Sequence, residues 1–317
     1  HLFRRVRSLL DETHIEGVIK SEIMADPERY VDLDSEAPLA LLDQQQAGKR
    51  LMLISNSEWP YACRIMSFAF DRFLAPERTW RDLFELVIVG ARKPSFFQHR
   101  LPLFSIADTG QGFLEPVPGA IPGPGAYLGG DAVTVESYLG ISGSKILYVG
   151  DHVYADVTLS KANFRWRTAL ILRELEDELT ALESFGPTEN ELARLMAAKI
   201  ETETTMSRTR LARQRLGDDY GDQPQATGAE LDAEFDRLRR EVVALDERIS
   251  PLARQAAQLG STRWGALLRA GNDKSHLAQQ IEKSADIYTS RVSNFLYATP
   301  FSYLRSRRGS MPHDPIR

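Results

Sequence analysis

Lys145-Ile-Leu-Tyr-Val-Gly-Asp-His-Val-Tyr-Ala-Asp156 is the stretch whose reading decides the fold. Lys145 to Val149 is apolar and partly β-branched, the signature of a short buried strand. Gly150 ends it, and two carboxylates, Asp151 and Asp156, follow five residues apart. In an open α/β sheet, ligands sit beyond the carboxyl ends of the strands, so these acids would face a crevice. A carboxylate pair there suits a hard cation such as Mg²⁺, which takes oxygen ligands and keeps several waters. An Asp-rich turn after a strand is the plainer alternative, and this stretch alone does not separate the two.

Working outward, 317 residues suffice for one large or two moderate domains. The 43% apolar and 26% charged content is that of a soluble globular protein. A net charge of -5 argues against nucleic acid or an anionic membrane as a general partner. The single cysteine, Cys63, excludes an intramolecular disulfide and a cysteine-based zinc cluster, and favours a reducing, cytoplasmic setting. No apolar run approaches the roughly 20 residues needed to span a bilayer. The first residues show no signal-peptide core; Leu2, Val6, Leu9 and Leu10 share one helical face, as if the chain began partway through a protein. Helical pattern continues through Ile15, Val18, Ile19 and Ile23.

Three further segments bear on the site. Asp32-Leu-Asp34 has the form of an aspartyl nucleophile loop, but no apolar strand precedes it, so it reads as a helix-capping loop before a helix over 38–48. Arg50 to Ser57 is an apolar strand ending in Ser55 and Asn56, followed by a helix over 61–73. A hydroxyl and backbone N–H groups at such an end can hold an anion. Leu83 to Ala91 is another buried strand, delivering Arg92-Lys93-Pro94 to the same edge. Residues 98–130 are loop-rich in Pro and Gly, with a short hairpin expected, and Gly119 to Gly125 lacks the Gly-Lys-Ser/Thr of a phosphate loop. A helix over 132–139 leads into the pivotal strand, and Arg167 to Arg173 reads as the last strand.

Hydroxyl, lysine and spaced acid pair, in that order at separate strand ends, is the order of the second to fourth motifs of haloacid dehalogenase-like phosphohydrolases. Ile54-Ser-Asn-Ser57, Ala91-Arg-Lys-Pro-Ser-Phe-Phe97, Leu147 to Asp156 and Trp166-Arg-Thr resemble the cytosolic purine 5'-nucleotidase family of that superfamily, the IMP/GMP type. So do Asn294 to Leu304 and Met311-Pro-His313. The resemblance implies Mg²⁺-dependent hydrolysis of purine nucleoside 5'-monophosphates through an aspartyl-phosphate, by a cytoplasmic homo-oligomer. It assigns phosphate binding to Ser55, Asn56 and Lys93, catalytic roles to Lys93 and Asp156, and the metal to Asp151. Asp156 would orient Lys93 or metal-bound water. The family's DxDx[TV] motif, which carries the nucleophilic and general-acid aspartates, ends no strand in this sequence, so the nucleophile is expected outside the chain. A catalytically inactive binding protein, or a phosphatase or phosphotransferase of another substrate, is the alternative reading.

The implied fold is α/β: a Rossmann-like, haloacid dehalogenase-like parallel core over 1–187, lacking its nucleophile strand and most of its cap. A helical hairpin or coiled-coil region over 188–275 follows, with Thr188 as a helix N-cap. Leu231, Phe235, Leu238, Val242, Leu245, Ile249 and Leu252 form a heptad seam, read as the inner face of a hairpin with the 189–216 helix in preference to a subunit contact. Arg208, Arg210, Arg213 and Arg215 read as a solvated helix face. Residues 276–317 read as an amphipathic helix to 297 and an aromatic tail, Phe295, Tyr297, Phe301 and Tyr303, packing on the core or a neighbouring subunit. His152 and His313 read as structural.

Overall fold

In the computed structural model, residues 17–108, 113–261, 263–271 and 273–304 are described, with Leu2, Arg5, Val6, Leu9 and Thr13. The helical positions Leu10 and Ile15 and the Met311-Pro-His313 segment lie outside the described residues. The chain divides into two compact units, residues 1–173 with 279–317 and residues 174–278.

The first unit is mixed α/β. Helices α1 (Val18–Ala25), α2 (Pro27–Tyr30) and α3 (Glu36–Gln46) precede strand β1 (Met52–Ile54) and helix α4 (Trp59–Phe70). Strand β2 (Leu86–Val89) is followed by β3 (Leu103–Asp108), β4 (Phe113–Val117) and β5 (Gly125–Gly129). These form one five-stranded sheet in the order β1-β2-β5-β3-β4, parallel from β1 to β5, with β3 and β4 as an antiparallel hairpin on the far side. Helix α5 (Ala132–Leu139) leads to β6 (Leu147–Gly150), and helix α6 (Leu159–Phe164) to β7 (Arg167–Ile171). Strand β10 (Ile287–Thr289), after the second unit, joins them in a three-stranded parallel sheet, β10-β7-β6.

Strand β2 shows why the core sits where it does. All four of its residues are buried, as expected of a parallel strand covered on both faces. Leu86 and Ile88 join a cluster with Phe96, Phe97, Tyr148 and Trp166, against which Met52 and Ile54 also pack. Val87 and Val89 face the opposite cluster, with Trp59, Trp80 and Ala62 of the α4 side. Trp166 is 1% exposed, stacks near Phe97, Tyr148 and Phe164, and donates its indole N–H to Glu136 at 2.8 Å.

The amino ends of β1 and β2 are tied by charge. Arg50 donates Nε and Nη2 to the two oxygens of Glu85, at 2.7 and 2.6 Å, and Tyr138 donates its hydroxyl to Glu85 at 2.5 Å. The guanidinium also reaches the Leu139 carbonyl at 3.3 Å. Arg50 holds the Glu85 carboxyl below the usual range, ahead of the opposing effect of burial.

The second unit holds a 44-residue helix, α7 (Leu175–Asp218), and a 30-residue helix, α8 (Gly228–Ala257), which Thr227 opens with a capping box to Glu230. The pairs Glu191–Arg248, Lys199–Asp246 and Arg213–Asp232 run in opposite directions along the two helices, which are therefore antiparallel. Leu231, Leu238 and Ile249 of the heptad pattern are buried, as are Leu195, Thr202 and Thr209 of α7. A two-residue hairpin, β8 (Arg269–Ala270) with β9 (Asp273–Lys274), follows. No helix of the described residues is long and apolar enough to cross a membrane.

Four local expectations change. Thr188 caps nothing, because α7 begins at Leu175 and runs through Pro187. The helix expected to reach residue 297 is α9 (His276–Ser284), after which the chain turns into β10 and a 3₁₀ turn over 292–297. The segment after residue 120 is not all loop, since β5 is a central strand. Strand β7 is not the last. Of the aromatic tail, Tyr297, Phe301 and Tyr303 are exposed and Phe295 is half-buried; the Arg167 guanidinium lies 4.5 Å from the Tyr303 ring.

Two measurements test this packing. Trp166→Ala is expected to cost about 3–5 kcal/mol, whereas exposed Trp264→Ala stays within about 0.5 kcal/mol, read by urea unfolding followed by circular dichroism. Because the Glu85 pKa is lowered on folding, its contribution is full above the unfolded value of about 4.3 and is lost as pH falls through the folded one. Glu85→Gln should therefore flatten the acid side of the stability profile; an unchanged acid limb in the variant would show that Arg50 does not hold this carboxylate.

Candidate functional site

Three strand ends converge at one edge. Strand β1 ends in Ser55, whose N–H donates to the Ile88 carbonyl at 2.8 Å and whose own carbonyl accepts from Ala91 N–H at 3.0 Å. The turn after β2 is thus stitched to the end of β1. Asn56 completes the stitch: its Oδ1 accepts from Lys93 N–H at 2.6 Å and its Nδ2 donates to the Lys93 carbonyl at 3.0 Å. The side-chain amide mimics a strand neighbour and fixes the Lys93 backbone. Asn56 therefore positions Lys93 from β1, a role the resemblance gave only as lining the loop.

Lys93 then reaches across to the end of β6. Its Nζ lies 2.8 Å from Asp156 Oδ1 and 5.8 Å from the centroid of the Tyr148 ring. The Lys93 side chain is 15% exposed and that of Asp156 3%. Asp156 sits on a single π-helical turn, Val153–Thr158, that follows β6. Its Oδ2 accepts from the His152 N–H at 3.1 Å, and its Oδ1 from the Tyr148 hydroxyl at 3.4 Å. Burial first, and the adjoining carboxylate second, hold the Tyr148 hydroxyl protonated far above its ordinary pKa, which keeps it a donor. His152 Nδ1 accepts from Ala155 N–H at 3.1 Å and so caps this turn.

Gly150 is what lets Asp156 come this close. A Cβ there would lie 2.5 Å from the Asp156 Cβ and 2.7 Å from its carboxylate carbon. Glycine, first read only as the end of a strand, is a steric requirement of the ion pair. Tyr148 was likewise legible only as an apolar strand residue, because its position under Lys93 follows from the pairing of β6 and β7.

The two acids have opposite surroundings. Asp156 is buried and committed to three donors, whereas Asp151 is exposed and no described residue donates to its carboxylate. Among the described residues, no three His, Cys, Asp or Glu side chains are gathered around one point. Asp151 therefore fits as one protein ligand of a Mg²⁺ ion that takes its remaining oxygens from water and phosphate, and not as a complete cage. Ser55 Oγ accepts from Ser57 N–H at 3.1 Å, and a hydroxyl that accepts still has its proton to donate. Cys63 is no rival nucleophile, since burial raises its thiol pKa. Asp32 and Asp34 follow a helix instead of a strand and are taken up by Arg173 and Ser293, at 2.6 Å each.

Fold and site together define a mixed α/β protein that gathers a hydroxyl, a lysine and two unlike carboxylates at one sheet edge, a donor set matched to a phosphorylated ligand. The chain belongs to the 5' nucleotidase family, whose model matches residues 1–316. It is 23% identical over 310 residues to a 5'-nucleotidase domain-containing protein of Dictyostelium discoideum, covering 98% of this chain and 48% of the relative. The chain thus spans about half the length of that curated relative.

Gly150→Ala should destabilise the first unit by about 1–3 kcal/mol through overpacking against Asp156. Gly119→Ala, with open space around its Cβ position, should be near neutral in the same unfolding measurement. Equal midpoints for the two variants would mean that Asp156 can move aside at no cost.

Proposed function

We propose that this chain supplies the phosphate-binding edge of a Mg²⁺-dependent 5'-nucleotidase, hydrolysing purine nucleoside 5'-monophosphates such as IMP and GMP to nucleoside and phosphate. In this reading the core is a haloacid dehalogenase-like, Rossmann-like sheet with the antiparallel helices as a coiled-coil appendage, in a cytoplasmic homo-oligomer. The observation that carries it is the Lys93–Asp156 pair at the carboxyl ends of β2 and β6, with Ser55 beside it and Asp151 open.

Each residue has a separable task. The Ser55 hydroxyl donates to a phosphoryl oxygen. Lys93 places its ammonium against the charge that spreads over the transferring group, and such preorganised charge is the main source of catalysis in phosphoryl transfer. Asp156 holds that ammonium in place. Asn56 fixes the backbone from which it projects. Asp151 holds the cation, which when bound neutralises phosphate charge and orients its oxygens. The attacking carboxylate of the aspartyl-phosphate route is assigned to sequence outside these 317 residues.

Phosphate release from IMP and GMP by the complete gene product, with and without Mg²⁺, tests the reading. Lys93→Ala should lower kcat by about 10²-fold or more, and chelation of Mg²⁺ should abolish turnover. Asp151→Asn should remove the Mg²⁺ response with little loss of stability. Turnover that is unaffected by Asp151→Asn or by chelation would refute the metal role, and turnover at the wild-type rate in Lys93→Ala would refute the site.

A further inference from the structure

The two parallel sheets of the first unit each stop at an apolar strand that has a neighbour on one side only. Among the described residues, β1 pairs with β2 alone and β6 with β7 alone. In a strand, alternate residues turn their backbone groups to alternate sides. Leu51 and Ser55 bond to the β2 side (Glu85 N–H to Leu51 O, 2.8 Å; Ser55 N–H to Ile88 O, 2.8 Å), so Met52 and Ile54 aim their N–H and C=O groups the other way. Ile146 accepts from Arg167 N–H on the β7 side at 2.9 Å, so Leu147 and Val149 aim theirs away from β7. Four residues thus present eight unpaired backbone groups along two apolar edges. The side chains agree: Met52, Leu53, Ile54 and Leu147 are only half-buried, and Val149 is 38% exposed, while the inner strand β2 is buried throughout.

The two edges belong to one site. At the carboxyl ends, Asn56 holds Lys93, which pairs with Asp156. At the amino ends, Arg50 reaches the Leu139 carbonyl, on the helix that leads into β6. Met52 and Ile54 pack against the cluster that contains Tyr148. Edges tied at both ends yet not bonded to each other leave room between them. Strands at about 4.8 Å spacing need roughly 10 Å for one intervening strand. Long apolar edges with free backbone groups invite pairing, and natural proteins cover or blunt them.

We infer that a β-strand of four to five residues, carried by the part of this protein outside residues 1–317, inserts between β1 and β6 and joins the two sheets into one parallel sheet of the first unit. Its source is argued from the chain's relative, which is about twice as long. The stretches 1–16 and 305–317 contain no apolar run of four residues that could serve. If the strand runs parallel to its neighbours, its carboxyl end emerges between Ser55 and Asp151, inside the candidate site. The inference rests on strand edges alone and stands or falls independently of phosphatase activity.

Hydrogen–deuterium exchange of the complete gene product, with residue-level fragmentation, tests it. Met52, Ile54, Leu147 and Val149 amides should exchange as slowly as those of Leu86–Val89, and protection should not change over a hundredfold dilution. Rapid exchange at those four amides, with Leu86–Val89 still protected, would overturn the inference. Protection that disappears on dilution as a dimer dissociates would overturn it in favour of a strand from a second copy. Nucleotide hydrolysis is not part of the readout, so an inactive protein with protected edges would fail the proposed function and still support the inserted strand.

Discussion

The pair between Lys93 and Asp156 is the contact on which the site's geometry depends. It joins the end of β2 to the turn after β6, strands of two different sheets, through side chains 15% and 3% exposed. A buried ion pair is seldom a net gain in stability over apolar residues of the same volume, because both charges lose their water. The surroundings here, with Phe97, Tyr148 and Trp166 in edge and tilted contact, would accept an apolar pair readily. Retaining the charges makes sense if the ammonium is needed at that point. The supporting features each constrain one member of the pair: Asn56 fixes the Lys93 backbone, and Gly150 admits Asp156. The His152 amide and the Tyr148 hydroxyl satisfy the oxygens that Lys93 leaves open.

How much of this was legible in the sequence follows from what kind of information each feature needs. Strands β1, β2 and β6 are apolar runs cut off by Ser-Asn, by Arg-Lys-Pro and by Gly-Asp, so their existence and the side chains at their ends could be read locally. Strand β5 could not: Gly125-Ala-Tyr-Leu-Gly129 lies among prolines and glycines, and its order comes from pairing with β2 and β3. Strand β10 was hidden because Ile287-Tyr-Thr289 continues an amphipathic pattern, and only the parallel ladder with β7 makes it extended. Pro187 suggested a helix boundary, yet α7 runs through it, and tertiary context outweighed the local signal. The division of labour between Asp151 and Asp156 was also out of reach, because five residues of spacing say nothing about which carboxylate is buried.

That division matters for the chemistry. A carboxylate that accepts from an ammonium, a phenol and an amide has little capacity left for a cation, since its lone pairs are directed elsewhere. An exposed carboxylate with no protein donor has that capacity. The single π-helical turn after β6 sets up the difference, carrying Asp156 back under Gly150 while Asp151 stays at the rim. Wide turns of this kind recur at functional sites because they aim a side chain where a regular helix would not.

The open edges of β1 and β6 and the composition of the site point to the same place. Ser55 and Asn56 end β1, and Asp151 follows β6, so the groups that would hold a phosphate and a cation flank one unfilled lane of the sheet. A nucleophile delivered along that lane would arrive between them without any other strand having to move. A nucleophile brought by a surface loop would meet no such guide, and its approach would have to be ordered at an entropic cost of about 1–2 kcal/mol per residue fixed. Rigid elements hold reacting groups more closely than loops do, and here the sheet itself offers the rigid element.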